Sequence, residues 1–370
     1  MKVLHVITGL DAGGAEQQLL ALLRHRTVAA EVATLSNPGI VATALRADDV
    51  PVHHIAMAGN TDLRAVGRLA SLIRRGRFDV VHTHLYRACV FGRVAARLAG
   101  VRSVVATEHS LGSALIEGRP VGRPGVRGLY RATERLGRTT IAVSPDVVER
   151  LRQWGVPPSR ITLLRNGIDL ERHAFDPVER ARVRADLGIP PDRPVVGAVG
   201  RLDPTKRFDV LIDALPRLPG TTALVVGRGP QRKELEARAR VAGVGDRVVF
   251  VGESAEVPAL MSAMDVLASP SPAETFGLAL LEAAAAGLPI AYVAGPVLDE
   301  LADGERHLRI APLPDEFAAA LVTLLARHLD RRPPPGIGRH DIREIATELD
   351  GVYRRITDTH HSSHTGRSSR

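Results

Sequence analysis

Short apolar runs alternate along this chain with longer stretches in which apolar positions recur every three or four residues. The first run, residues 3–7, is followed by a glycine-rich loop and then by a leucine-rich periodic stretch reaching Leu23, which predicts strand, loop and helix. Further runs at 32–35, 52–55, 79–84, 103–107 and 140–144 are separated by helical patterns. Beyond a charged, proline-bearing stretch the same logic restarts with runs at 195–199, 223–226, 247–252, 264–268 and 290–293. Alternation of this kind predicts an α/β protein with parallel sheets covered by helices, in which ligands meet the carboxyl ends of strands.

A chain of 370 residues exceeds what one core of about 250 residues holds, so two domains are expected. The stretch 172–193, with Pro177, Pro190 and Pro191, predicts the linker between a first domain at 1–171 and a second at 194–330. A Pro/Gly segment then opens residues 331–358, whose Ile342, Ile345, Leu349, Val352 and Ile356 form an apolar stripe at helical spacing. That helix needs a surface to dock on. The tail 359–370 has no apolar content and is expected to be disordered.

Several strand ends carry residues suited to binding. Pro270 and Pro272 stiffen a turn that places Glu274 ahead of a helix predicted from Phe276, with Gly277 in its first turn and Glu282 about two turns on. A helix start favours phosphate, whereas carboxylates accept from sugar or ribose hydroxyls. Taken alone, the stretch also fits a plainer reading, with Glu274 a helix-terminal acid and Glu282 an exposed one. Gly13 and Gly14 let another helix start approach a ligand closely. Arg201 and Lys206 place two cations after the 195–199 strand, an arrangement that can neutralise a diphosphate or simply decorate a surface. His109 lies just past the 103–107 strand and can donate to a hydroxyl while neutral. His82 and His84 share a strand face; with no third ligand spaced near them, a structural or acceptor-lining role is favoured over metal binding.

Composition narrows the classes. The net charge of +8 comes from arginine, since lysine occurs only at Lys2, Lys206 and Lys233. Arginine with abundant alanine fits a GC-rich genome, and no aromatic residues interleave with the arginines to stack bases, so nucleic acid is not an expected partner. Arginines at 119, 123, 127, 131, 135 and 138 make segment 116–138 basic, which is either a solvated face or a peripheral contact with an anionic membrane. One cysteine, Cys89, excludes an internal disulfide, and the N-terminus lacks the pattern of a cleaved leader, so a cytoplasmic protein is expected. The apolar run 278–295 holds Glu282 and a Gly-Leu-Pro break, which argues against a spanning helix.

Taken in order, the Gly13-Gly14-Ala15-Glu16 loop, residues 79–84, Glu108-His109, Val143-Ser144, Asn166-Gly167-Ile168-Asp169, Gly200-Arg201 with Lys206, residues 227–230, and Glu274 with Glu282 resemble the retaining glycosyltransferases of family 4. The resemblance covers nearly the whole chain. It implies the GT-B fold, two facing Rossmann-like domains with a cleft between them and a C-terminal helix crossing back to the first. It further implies that Arg201 and Lys206 bind the donor diphosphate, Glu282 the ribose, and Glu274 with the backbone of Phe276, Gly277 and Leu278 the donor sugar and phosphate. His109 would contact the sugar near the reacting carbon, and Gly14 the diphosphate. The implied reaction moves a sugar from a nucleoside-diphosphate sugar, UDP favoured, to a hydroxyl acceptor such as a lipid-linked glycan or a small specialised metabolite. It proceeds with retention and with no metal or other cofactor. The sequence departs from the family at Arg228, where an acid is common, and at 294–300, where a Gly-Gly loop is usual. The alternatives are a sugar-nucleotide epimerase or phosphorylase on the same fold, or a basic nucleic-acid-binding protein.

Overall fold

The computed structural model describes residues 1–361 except 12, 113, 114, 118 and 302, with side chains described up to 358. Two compact units emerge, Ile168–Arg339 and the remainder, in which Met1–Gly167 is joined by the chain from His340 onward. The expected tail begins inside the last helix, which reaches His361, and its remainder at 362–370 lies outside the described residues.

In the first unit, β1 (Lys2–Ile7), α1 (Gly14–Arg24), β2 (Ala29–Thr34), α2 (Gly39–Ala47), β3 (Val52–His54), α3 (Leu63–Gly76), β4 (Val80–His84), α4 (Tyr86–Leu98) and β5 (Val104–Glu108) follow one another. A small antiparallel pair, β6 (Leu115–Ile116) and β7 (Arg119–Pro120), leads to α5 (Pro124–Glu134), β8 (Thr139–Ala142), α6 (Pro145–Gln153) and β9 (Ile161–Leu163). The main sheet has the order β3-β2-β1-β4-β5-β8-β9, parallel throughout. Helices on both faces bury β4 and β5 completely, which is why these strands read as near-continuous apolar runs.

The second unit opens with α7 (Pro177–Asp186), inside the stretch expected to be a linker. The residues that looked like a charged spacer are held by a carboxylate. Asp265 accepts from Arg180 Nη2 at 2.6 Å, from Arg184 Nη2 at 2.8 Å and from the Val195 amide at 2.8 Å, and Arg184 is buried. Then come β10 (Val195–Val199), α8 (Phe208–Ala214), β11 (Thr222–Val226), α9 (Arg232–Val241), β12 (Val248–Gly252), α10 (Val257–Ala263) and β13 (Val266–Ser269). The unit closes with α11 (Leu278–Ala285), β14 (Ile290–Tyr292), α12 (Pro296–Leu301), β15 (His307–Arg309) and α13 (Pro314–Ala326). Its sheet is parallel in the order β12-β11-β10-β13-β14-β15. The edge strand β15 was not foreseen, because three residues with two polar members carry no periodic signal.

The last helix, α14 (Ile342–His361), returns to the first unit. Its predicted stripe packs with Val3, Val80, Val105 and Leu22, and Tyr353 joins it. Thr27 donates to Asp350 at the rim of this contact. We expect Asp265→Ala to lower stability by about 3 kcal/mol in urea unfolding, because it leaves the buried Arg184 guanidinium without its counter-charge.

Candidate active site

In each sheet the strand order reverses once, at β1/β4 and at β10/β13. Ligands in open parallel sheets bind beyond the strand ends at such a switch. In the second unit the loops that leave β10 and β13 therefore form the candidate site, and they carry Arg201 with Lys206 on one side and Glu274 on the other. The loops after β10 and β11 are joined closely, with the Gly200 amide on Val226 O and the Leu202 amide on Arg228 O. A side chain at Gly227 would put its Cβ 1.9 Å from Gly200 O, so only glycine allows this approach.

Lys206 Nζ donates to Glu274 Oε1 at 2.5 Å, an ion pair spanning the switch point. Arg201 sits on the same loop but is largely exposed, with Nε 3.3 Å from Asp203. Gly277 adopts φ 96°, ψ 61°, a left-handed conformation that ends the turn, and α11 starts at Leu278. The expectation of a helix from Phe276 with Gly277 in its first turn is corrected accordingly. As the residue that caps the helix, Gly277 aims the first amides of α11 toward the turn that bears Glu274. Phe276 is buried and Leu278 partly so.

Glu282 lies on α11 among buried alanines and leucines. Its side chain keeps 22% of its surface exposed, and desolvation pushes its carboxyl up to about 7 against the opposing charge of Arg172. Its oxygen stands 3.8 Å from His173 Nε2, while His173 Nδ1 donates to Asp169 O at 2.8 Å. His173 was not singled out from sequence. The Asn-Gly turn before Asp169 was legible, but nothing in spacing tied His173 to an acid more than a hundred residues later.

In the first unit, His109 follows β5 and Gly14 opens α1 after Gly13. Glu108 is fully buried; burial raises its carboxyl and Arg93 pulls it down. His82 and His84 do share a face, and β1 adds a third imidazole, His5, paired in register with His82. The reading that no third ligand lies near is therefore incomplete. Among the described residues His5, His82 and His84 bring ligand atoms within 4.8 Å of one another. Hydrogen bonds already engage them. His82 meets Tyr353 Oη at 2.6 Å and Thr107 Oγ1 at 2.7 Å, while His84 meets His5 at 3.0 Å and His109 at 3.1 Å. Desolvation lowers all four imidazoles, His5 to about 3 and His109 to about 4, so they are neutral near pH 7. The arginines of 116–138 are partly engaged: Arg119 pairs with Glu117 and Arg127 donates to Gln153 O. Among the described residues no helix is long and apolar enough to cross a membrane.

Two family models match the chain in tandem, Glycosyltransferase Family 4 over residues 5–172 and Glycosyl transferases group 1 over 193–327. A D-inositol 3-phosphate glycosyltransferase from Acidothermus cellulolyticus is 32% identical over 83% of this chain and 72% of its own length. The chain belongs to glycosyltransferase family 4. A 2-deoxystreptamine glucosyltransferase from Streptomyces kanamyceticus is 33% identical over 73% of each chain. The chain spans 59% of the length of a further relative, the D-inositol 3-phosphate glycosyltransferase of Mycobacteroides abscessus, at 30% identity over 68% of its own. Among solved structures, HepE of Anabaena in complex with UDP-glucose matches at TM-score 0.78 and 25% identity, covering 98% of this chain and all of that one. Sucrose-phosphate synthase from Thermosynechococcus elongatus shares the fold at TM-score 0.78 and 21% identity, covering 97% and 100%. The two Rossmann-like units are those of a GT-B glycosyltransferase.

Two pH effects follow for this family 4 enzyme. Glu282 titrates near 4.5 when unfolded and near 7 when folded, so the fold holds its proton more tightly, and stability falls as pH rises between these values. Glu282→Gln should therefore unfold at higher denaturant than wild type at pH 8, by about 2 kcal/mol after allowing for residual exposure, with the gain gone at pH 4.5. The four lowered imidazoles act oppositely. The unfolded chain takes up their protons below pH 6.5, so wild-type stability should drop steeply from there toward pH 4.5, by up to about 1.4 kcal/mol per pH unit for each.

Proposed function

We propose that this glycosyltransferase moves a sugar from a UDP-sugar to a hydroxyl of a small polyhydroxylated ring, with retention and with the diphosphate charge met by protein cations. The observation that carries the reading is the Lys206–Glu274 ion pair at the β10/β13 switch point. The acid holds the lysine in the turn that precedes α11. An arriving diphosphate takes the ammonium through charge-assisted hydrogen bonds, Arg201 adds a planar fork, and the released Glu274 accepts from hydroxyls of the donor sugar. Gly277 leaves the Phe276-to-Leu278 backbone accessible to the phosphate. Glu282, ionised above its raised pKa, accepts from the ribose diol.

His109 serves the transfer step as a neutral hydrogen-bonding group, and Gly14 lets the α1 start approach the diphosphate. The leaving phosphate takes the acceptor proton during attack on the same face of the sugar, so no carboxylate nucleophile is required. The Anabaena relative bound to UDP-glucose supports the uridine donor. Two relatives whose names specify an inositol phosphate and 2-deoxystreptamine support a cyclitol-type acceptor.

Calorimetry with a set of UDP-sugars should give binding that weakens at least about tenfold in Lys206→Ala and in Glu282→Ala; unchanged affinity in both would remove the donor site from this loop pair. His109→Ala should keep donor affinity and lose about a hundredfold in kcat for UDP release with cyclitol acceptors, inositol phosphate and 2-deoxystreptamine among them. A His109→Ala enzyme at full rate ends that residue's role.

A further inference from the structure

The turn at 169–173, at the start of the second unit, is pinned by Asp169. The Asp169 carboxylate accepts from the Arg172 amide at 3.2 Å, and its carbonyl accepts twice from His173, from the backbone amide at 3.2 Å and from ring Nδ1 at 2.8 Å. Arg172 Nη2 ties the turn to the segment after β12 by donating to Ala255 O at 3.2 Å. A carbonyl oxygen can only accept, so His173 Nδ1 carries a proton. Burial, with the Arg172 charge beside it, holds this imidazole below its usual range, so the ring is neutral at pH 7 and above and that proton is its only one. His173 Nε2 is therefore an acceptor.

That acceptor stands 3.8 Å from Glu282 Oε1, too far for a hydrogen bond. Two acceptors leave such a gap when neither has a proton to give. Nε2 has none in the tautomer that Asp169 fixes, and Glu282 has none once its carboxyl ionises, above about 7. Both groups keep a path to the surface, with 12% of the His173 side chain and 22% of the Glu282 side chain exposed. A phosphate cannot fill this position, because it brings no proton and meets an ionised acid. A single hydroxyl satisfies one acceptor and leaves the other unpaired. A vicinal diol satisfies both: its two oxygens lie closer together than 3.8 Å, and each hydroxyl reaches outward to one acceptor at hydrogen-bond length.

We propose that His173 is a specificity-determining residue of the donor site, its Nε2 accepting one hydroxyl of the ribose diol while Glu282 accepts the other. The pair selects ribonucleotide over deoxyribonucleotide donors. The inference rests on the reading of Glu282 as the ribose-binding acid given above and narrows it: the acid takes one hydroxyl, and the turn before α7 supplies the partner of the second.

The test is calorimetry of the full-length enzyme at pH 8, where Glu282 is ionised, with UDP, 2′-deoxy-UDP and 3′-deoxy-UDP. Wild type should bind each deoxy analogue about fivefold or more weakly than UDP. His173→Phe should weaken UDP by a similar factor and make one analogue its equal, because the hydroxyl that served Nε2 no longer has a partner. Glu282→Ala should do the same for the other analogue. His173→Gln, whose side-chain carbonyl can stand near the Nε2 position, should recover most of the UDP affinity and of the discrimination. Wild type that binds both analogues as tightly as UDP overturns the proposal with no variant having to fold. So does a His173→Phe enzyme in which both analogues stay weaker than UDP by the wild-type factors, which assigns the whole diol to Glu282. UDP binding that weakens in Lys206→Ala but ignores either missing hydroxyl keeps the donor site and removes only the diol pair, whereas a wild type that binds no UDP removes both.

Discussion

A parallel strand covered by helices on both faces has no surface to offer, so every group that meets a ligand must sit at its end. That constraint organises both units. The interior of β4 is buried from Val80 to His84, and any surface for a ligand begins where the strand stops. In the second sheet the same rule brings together loops that leave β10 and β13, separated by more than sixty residues of chain but adjacent in strand order. The Lys206–Glu274 pair is a product of topology before it is a product of electrostatics.

Burial then sets the protonation of what it touches. Glu282 is kept near the point where it changes charge because α11 is apolar around it, and the imidazoles of the first unit are kept neutral because water is excluded from them. The molecule gives up stability at both places: an ionised acid that the fold disfavours, and rings that the unfolded chain would protonate. Such costs are expected where side chains are arranged for binding and not for packing.

Much of this was legible in the sequence, and the reasons for the exceptions are physical. Strand, loop and helix alternation foretold both sheets apart from their edge strands β9 and β15, and a lysine in an arginine-rich chain drew attention to Lys206. The stripe on α14 was readable because helical periodicity is local. What could not be read was pairing at a distance. His5 looks like a polar interruption in an apolar strand until β4 is placed beside it. Residues 172–193 read as a spacer because the carboxylate that pins α7, Asp265, lies on the far side of three strands in sequence. Gly277 was assigned to the helix because its propensity cost is small there, whereas its positive φ depends on the turn that precedes it.

The return of α14 has a consequence for synthesis. The first unit begins at the N-terminus, but the cluster around Val3, Val80 and Val105, to which Leu22 and Leu164 also belong, is completed by residues from Ile342 on, after the whole of Ile168–Arg339 has been made. At ordinary translation rates of about 5–20 residues per second, that cluster waits for α14 for roughly 10–30 seconds. A nascent chain in that interval carries an incompletely covered apolar surface, and the second unit must be synthesised before the first can be completed.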